Sequence, residues 1–451
     1  MLSRFAKKTA IVPVESDSTE LVPLMVVDDH ILALKVRLHQ RLIDEINLPI
    51  IEKMPRDQFE KEVGDIIREM LGKETSLLNE RERKQFVADI LDELLGLGPL
   101  EPLLKDTSIA DIIVNTYKQV CVERAGKIEI TPVRFKDEAH LLRIMNKIVA
   151  AVGRRIDESQ PIVDARLLDG SRVNAVIPPA AVDGGLLSIR KFSKIPFDFP
   201  RLVARGSVTN EMASTLHAMV RGKLNVLISG GTGSGKTTML NAMSASIGHS
   251  ETVITIEDAA ELQMQQPMVR RLETRPANTE GKGEITQRNL VKAALRMRPD
   301  RIILGEVRGD EALDMLQAMN TGHEGSMSTI HANSPRDALA RVEQMVGMAG
   351  FEMSPRSVRS QIASAIHVVI QLSRGSDGNR RMVSLQEVTG LDGDLITTNE
   401  IFHFHRVSTD ESGVIHGQYE TTGIRPKFAD DLGTQGFYFD EDFFAPNRKL
   451  Q

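Results

Sequence analysis

The stretch NVLISGGTGSGKTTMLNAMSASI, Asn225 to Ile247, decides how the rest of the chain is read. Its first five residues read as a short buried strand, and TTMLNAMSASI reads as a helix. Between them Gly230, Gly231, Thr232, Gly233, Ser234, Gly235, Lys236 and Thr237 satisfy the spacing G-x-x-x-x-G-K-[ST], with Thr238 following. A strand feeding a glycine-rich turn that opens a helix makes an anion site. Backbone N–H groups point at phosphate oxygens, Lys236 reaches the β- and γ-phosphates, and the Thr237 hydroxyl can ligate Mg²⁺. A plain glycine turn that happened to carry Lys-Thr would not need both flanks.

Working outward, residues 208–428 alternate strands and helices: NVLISG, a helix, TVITIED, the helix RNLVKAALRM, RIILGE, the helix DEALDMLQAM, then SMSTIHA. That alternation predicts an α/β domain with a largely parallel sheet flanked by helices. Upstream, 193–207 reads as a linker in which Pro196 and Pro200 limit any helix. Residues 106–192 mix strands with the amphipathic helix EAHLLRIMNKIVAAVG and the hairpin VDARLLDGSRVNAVIPP, an α+β N-terminal domain. Residues 30–105 carry three helical patterns in a row, a small bundle that stops at Gly-Leu-Gly-Pro, and 1–29 has no sustained periodicity. The tail 429–451 is aromatic and acidic. It reads either as a flexible end or as a segment whose Phe437, Tyr438, Phe439, Phe443 and Phe444 dock on a neighbouring surface.

With 451 residues, 41% of them hydrophobic, the chain can bury more than one core. A formal net charge of -6 gives no bulk electrostatic argument for nucleic acid or for an anionic membrane surface, and neither is an expected partner. Cys121 is the only cysteine, so no intrachain disulfide is expected and a reducing compartment is the natural reading. It lies in the apolar run QVCVE and reads as a core residue. No window approaches the ~18 uninterrupted apolar residues of a membrane span, and the N-terminal apolar stretch is too short for a signal peptide.

Three further stretches bear on the phosphate site. RIILGEVRG, Arg301 to Gly309, ends a buried strand with Glu306. A later strand of a P-loop sheet places an acidic residue near Mg²⁺ and the γ-phosphate, so Glu306 is a candidate to hold Mg²⁺ or orient the attacking water. Its alternative is a charge at the start of the next helix. ITIEDAAEL puts Glu257 and Asp258 at another strand end, where a carboxylate can activate water, with Glu261 as a first-turn helix charge. TGHEGSMSTIHAN places His323 and His331 around a strand, either structural or in contact with phosphate.

In this order and spacing, GGTGSGKTT, TIEDAAEL, RIILGEVRG and TGHEGSMSTIHAN resemble the Walker A, Asp box, atypical Walker B and His box of the type II/type IV secretion ATPases. LGLGPLEPLL, DARLLDGSRVNAVIPP, LSIRKF and LRMRPDRIILGEVRG most resemble the Tad/Cpa (CpaF-type) pilus-assembly ATPases, over about Leu95 to Val407. The resemblance implies a homo-hexamer of RecA-like motor domains, each joined to a PAS-like N-terminal domain that closes over ATP and Mg²⁺. It implies a protein at the cytoplasmic face of the inner membrane, peripheral to it, driving pilus assembly through a membrane platform. It makes Arg172 and Arg190 phosphate-sensing residues of the N-terminal domain, either of which taken alone reads as a surface ion-pair residue. Arg270, Arg271 and Arg275 are loosely assigned to subunit contacts. Conjugation-type and type II secretion ATPases share the motifs, and a nucleic-acid-dependent RecA-like motor shares the P-loop. A non-hydrolysing nucleotide-gated scaffold has little use for both Glu257 and Glu306.

Overall fold

The computed structural model describes residues 56–73, 79–124, 126–167, 169–192, 198–275, 277 and 281–451, with helical positions 37, 38 and 42. Segment 1–29, most of the first predicted helix and 193–197 of the predicted linker lie outside the described residues. The chain divides into two compact units. One comprises the described residues up to Val122 with Ile128–Leu167 and Val173–Arg190. The other comprises Lys191–Gln451 with the short segments Glu123–Lys127 and Leu168–Arg172.

In the first unit, helices Arg56–Lys73 and Glu80–Leu95 bury Val63, Ile67, Met70 and Leu71 against Phe86, Val87 and Ile90. These are the three- and four-residue spacings read from the sequence. The second helix starts in a capping box: Asn79 accepts from the Glu82 N–H while the Glu82 carboxylate accepts from the Asn79 N–H. Six strands follow, β1 Ile109–Thr116, β2 Gln119–Arg124, β3 Lys127–Ile130, β4 Ile162–Arg166, β5 Arg172–Val176 and β6 Leu186–Arg190. They form one sheet in the order β3-β2-β1-β6-β5-β4. Alternate residues, such as Leu187 and Ile189 of β6, share a core with Leu141, Ile144, Met145 and Ile148 of helix Glu138–Ala151. Cys121 is free and buried in β2.

The second unit holds a nine-stranded sheet. Its strands are β7 Val226–Gly230, β8 Val253–Glu257, β9 Val269–Glu273, β10 Arg301–Val307, β11 Met327–Ile330, β12 Val368–Arg374, β13 Arg380–Asp392, β14 Leu395–Thr409 and β15 Ile415–Thr421. The order is β15-β14-β13-β12-β7-β11-β10-β8-β9. From β12 to β9 every neighbouring pair is parallel, and β12 to β15 are antiparallel. Successive residues of β7 feed opposite faces, Val226 and Ile228 one core and Leu227 the other, which is why the strand reads as an unbroken apolar run. With β11 between the P-loop strand β7 and β10, this is a RecA-like α/β motor domain. The C-terminal ends of β7, β11, β10 and β8 share one edge, where ligands of open α/β sheets bind.

Three differences from the sequence reading have physical causes. The predicted linker contains helix Phe199–Ala204, because Pro200 occupies its first turn, where no N–H is needed, and Asp198 caps it by accepting from the Arg201 N–H at 3.1 Å. VRRLE, rich in charge, forms the edge strand β9, where Val269 and Leu272, three apart and so on opposite faces, pack against the two cores of the sheet. No helix follows Asp258, so Glu261 is not a first-turn charge. The aromatic tail takes the docked of its two readings, on its own domain: Phe444 and Leu450 lie in the motor core, with Phe437, Phe439 and Phe443 packed against it, and only Tyr438 of the five aromatics is exposed. Among the described residues no helix is long and apolar enough to cross a membrane.

Candidate functional site

The P-loop leaves the buried strand β7 and enters helix Lys236–Ser244. Its glycines are required by the backbone. A Cβ on Gly230 would stand 2.4 Å from Ser234 Oγ and 2.7 Å from the Leu372 carbonyl, and Gly233 and Gly235 have φ of +70° and +98°. Ser234 Oγ donates to the Gly231 carbonyl at 2.8 Å and braces the turn. Lys236 Nζ donates to the carbonyls of Gly230 and Gly231, both at 3.0 Å, so its ammonium lies over the cradle. Burial pushes the Lys236 pKa down; the Glu306 charge opposes that shift and the Arg308 charge adds to it. Thr237 and Thr238 sit half-buried in the first turn of the helix. The loop thus fits a nucleotide phosphate chain, with Thr237 and Glu306 as the groups available to Mg²⁺.

Glu306, at the end of β10, has an immediate partner that the sequence reading did not name. Arg308 NH2 donates to its carboxylate at 2.8 Å, while Arg308 NH1 donates to Asp258 at 2.9 Å. Arg308 is the first residue past β10 and follows an irregularity in the β10–β11 register, so strand alternation alone does not give the pair. Glu257, on the adjoining β8, is 3% exposed, and one carboxylate oxygen accepts from the N–H groups of Glu261 (2.7 Å) and Leu262 (2.8 Å). Its other oxygen is buried with no hydrogen-bond partner. Burial pushes the Glu257 pKa up, against the pull of those two N–H groups and of Arg271. The glycine before Glu306 follows from the same packing: a Cβ on Gly305 would stand 3.0 Å from Glu257 Cγ.

The two histidines part company. His331 follows β11 at the P-loop edge and, with Arg308, Asn333, Asp337 and Arg341, lines a cleft of about 400 Å³. His323 precedes β11 and lies at the opposite edge. Met327 pairs with Val226, so the whole of β7 separates them, roughly 16 Å of strand at ~3.3 Å per residue. The reading of His323 as a phosphate contact is therefore corrected for the P-loop of its own chain.

Arg172 falls in the second unit, where it ion-pairs with Glu261 at 2.8 Å and donates to the Ala259 carbonyl at 3.1 Å, in the loop that follows Glu257. Arg190 stays in the first unit. It pairs with Asp111, its cross-strand neighbour on β1, at 3.1 Å and is largely exposed. Arg270, Arg271 and Arg275 donate to carbonyls of their own chain, those of Met297, Ala260 and Gly283. Two cations at the P-loop escaped the sequence reading. Arg380 Nε, at the start of β13, donates to the Gly233 carbonyl at 2.8 Å, and the Arg374 guanidinium lies 3.4 Å from where a Gly233 Cβ would stand. Their one sequence signal is the density of arginines in SRGSDGNRR, which says nothing about which loop they meet.

A glycine cradle on the central strand, an acidic residue at each of two neighbouring strand ends and a RecA-like strand order define a P-loop motor domain. Residues 93–415 match the type II/IV secretion system protein family, and the chain belongs to it. A Mycobacterium tuberculosis protein described as a candidate conjugal transfer protein is 38% identical over 330 residues, covering 72% of this chain and 93% of that protein. The type IV secretion system protein VirB11 of Bartonella henselae is 32% identical, covering 62% of this chain and 89% of the relative. The solved VirB11 ATPase of the Brucella suis type IV secretion system is 29% identical over 64% of this chain and 93% of that one, with a TM-score of 0.36. The sequence matches carry the family assignment.

Proposed function

We propose that the chain is an ATP hydrolase that works as a homo-hexamer, peripheral to the cytoplasmic face of the inner membrane. Its hydrolysis drives assembly of a Tad/Cpa-type pilus, with retraction open, through an inner-membrane platform. The observation that carries the ATPase reading is the pairing of a P-loop cradle, Lys236 included, with a carboxylate, Glu257, that is buried, raised in pKa and left with one unpartnered oxygen. Mg²⁺, when bound, supplies charge neutralisation at the phosphate oxygens. The P-loop N–H groups and Lys236 bind and orient the phosphates, and Thr237 and Glu306 hold the metal. Glu257 accepts a proton from the attacking water, the role its unpartnered oxygen and raised pKa suit; Glu306, already paired to Arg308, is the alternative base. Arg374 and Arg380 add positive charge beside the loop, and His331 reports the phosphate state towards the cleft it lines. Arg190 and Arg172 transmit loss of the γ-phosphate to the N-terminal domain.

A conjugation-type role is the second reading, favoured by the description of the Mycobacterium relative. Steady-state hydrolysis by the purified chain, alone, with a reconstituted Tad platform protein and with single-stranded DNA, separates them. Stimulation by the platform supports pilus assembly. Stimulation by DNA alone overturns it, and absence of any turnover overturns the ATPase reading itself.

A further inference from the structure

The antiparallel end of the motor sheet carries a cluster that the phosphate chemistry does not use. His403 and His405 stand two apart on β14 and so share a face, and Glu420 of β15 is the direct cross-strand partner of His403. On the other face, Phe402, Phe404 and Tyr419 pack in or against the core, which fixes the register and obliges all three polar residues to the same side. His403 Nε2 and His405 Nδ1 both aim at one atom, Glu420 Oε2, at 3.8 and 3.4 Å, and a ligand atom from each residue lies within 4.8 Å of the others. No hydrogen bond joins the three. Glu420 is 6% exposed, and its second carboxylate oxygen accepts from the Gln418 side chain at 2.5 Å. The remaining ring nitrogen of His403 is buried without a partner.

We propose that His403, His405 and Glu420 form a binding site for a divalent transition-metal ion of the zinc class. Donors held at about 2.0–2.2 Å from a tetrahedral ion lie roughly 3.3–3.6 Å apart, close to the two nitrogen–oxygen spacings found. A hydrogen-bonded His–Glu pair would instead bring one nitrogen to about 2.8 Å and leave the other imidazole out of the cluster. Two imidazoles and one carboxylate suit Zn²⁺, Co²⁺ or Ni²⁺, whereas Mg²⁺ and Ca²⁺ call for oxygen donors, so the site is chemically distinct from any metal at the P-loop. The Gln418 bond to the carboxylate is the outer support such ligands require. The bound ion would tie β14 to β15, the outermost pair of the sheet, with its fourth position open to water.

The test uses the full chain without nucleotide in excess Mg²⁺, titrated with Co²⁺ and read by visible d–d absorption, then with Zn²⁺ competing against a chromophoric chelator. One equivalent is expected to bind, Zn²⁺ is expected to displace Co²⁺, and Zn²⁺ is expected to raise the melting temperature. His405→Ala, at a half-exposed side chain with no folding role, should weaken binding at least about tenfold, and Glu420→Gln and His403→Ala should do the same. Failure of the parent chain to take up metal at micromolar concentration overturns the site, as does uptake that persists unchanged in His403→Ala/His405→Ala.

Discussion

The two halves of the motor sheet solve different problems. The parallel half, β9 to β12, is covered on both faces and delivers the ends of β7, β8, β10 and β11 to one edge. The antiparallel half, β13 to β15, lays Leu385, Phe402 and Tyr419 on one core and Val388 and Ile396 against the other, and its outer strands carry polar residues such as His403 and Glu420 between them. The first half gathers the candidate groups at the P-loop edge. The second supplies reach: its first strand lays Arg380 on the P-loop from far along the chain. The candidate catalytic groups thus lie on the parallel half, and the antiparallel half brings accessory charge to them.

The sharpest way to break that division is Lys236→Ala. It should abolish ATP hydrolysis with no loss of melting temperature, since the ammonium bonds only loop carbonyls; turnover near the parent rate would remove the site from the parallel half. Glu257→Gln comes next, with an expected fall in kcat of about 10²–10⁴ and little change in nucleotide affinity, read by steady-state kinetics and equilibrium titration. The raised pKa means that the native state of the parent binds this proton more tightly than the unfolded chain does. The parent therefore loses stability as pH rises from the ordinary carboxylate range through the raised value. The glutamine variant escapes that loss, so its melting temperature should exceed the parent's at neutral pH and the advantage should vanish below the carboxylate range.

Arg190→Ala tests the transmission proposed for the first unit. Turnover should fall sharply while nucleotide affinity drops by no more than about one to two decades, the value of a charge-assisted contact of roughly 1.5–3 kcal/mol. Loss of the exposed Asp111 pair alone would change stability by only about 0–1 kcal/mol and leave turnover intact, the result that reduces Arg190 to a surface ion pair. Smallest of all, Arg380→Ala should raise the KM for ATP a few-fold with kcat nearly unchanged. An effect as large as that of Lys236→Ala would place essential chemistry on the antiparallel half.

What could be read from sequence was what is local. The P-loop, α/β alternation, Glu257 and Glu306 lie in consecutive residues whose spacing is itself the constraint. Arg380 and Arg374 were illegible because their approach to Gly233 depends on β12 returning beside β7, which no spacing encodes. His323 was misplaced for a related reason: nearness to a strand in sequence does not say which end of the strand faces the loop. The tail's acids left its two readings open, and only the fold shows where its aromatics go: Phe437 meets His217 of the helix Asn210–Arg221, and Phe443 and Phe444 meet Phe402 of β14.

The missing side chain at Gly305 has a consequence for how this pair of positions can change over time. Glu257 Cγ cannot retreat from an added methyl, because two backbone N–H groups pin its carboxylate. Growth at 305 costs about 1–3 kcal/mol of overpacking unless residue 257 shrinks at the same step, and shrinkage at 257 alone discards the carboxylate. Neither residue drifts first without cost, so a route away from this pairing passes through an intermediate that is either strained or without the buried carboxylate.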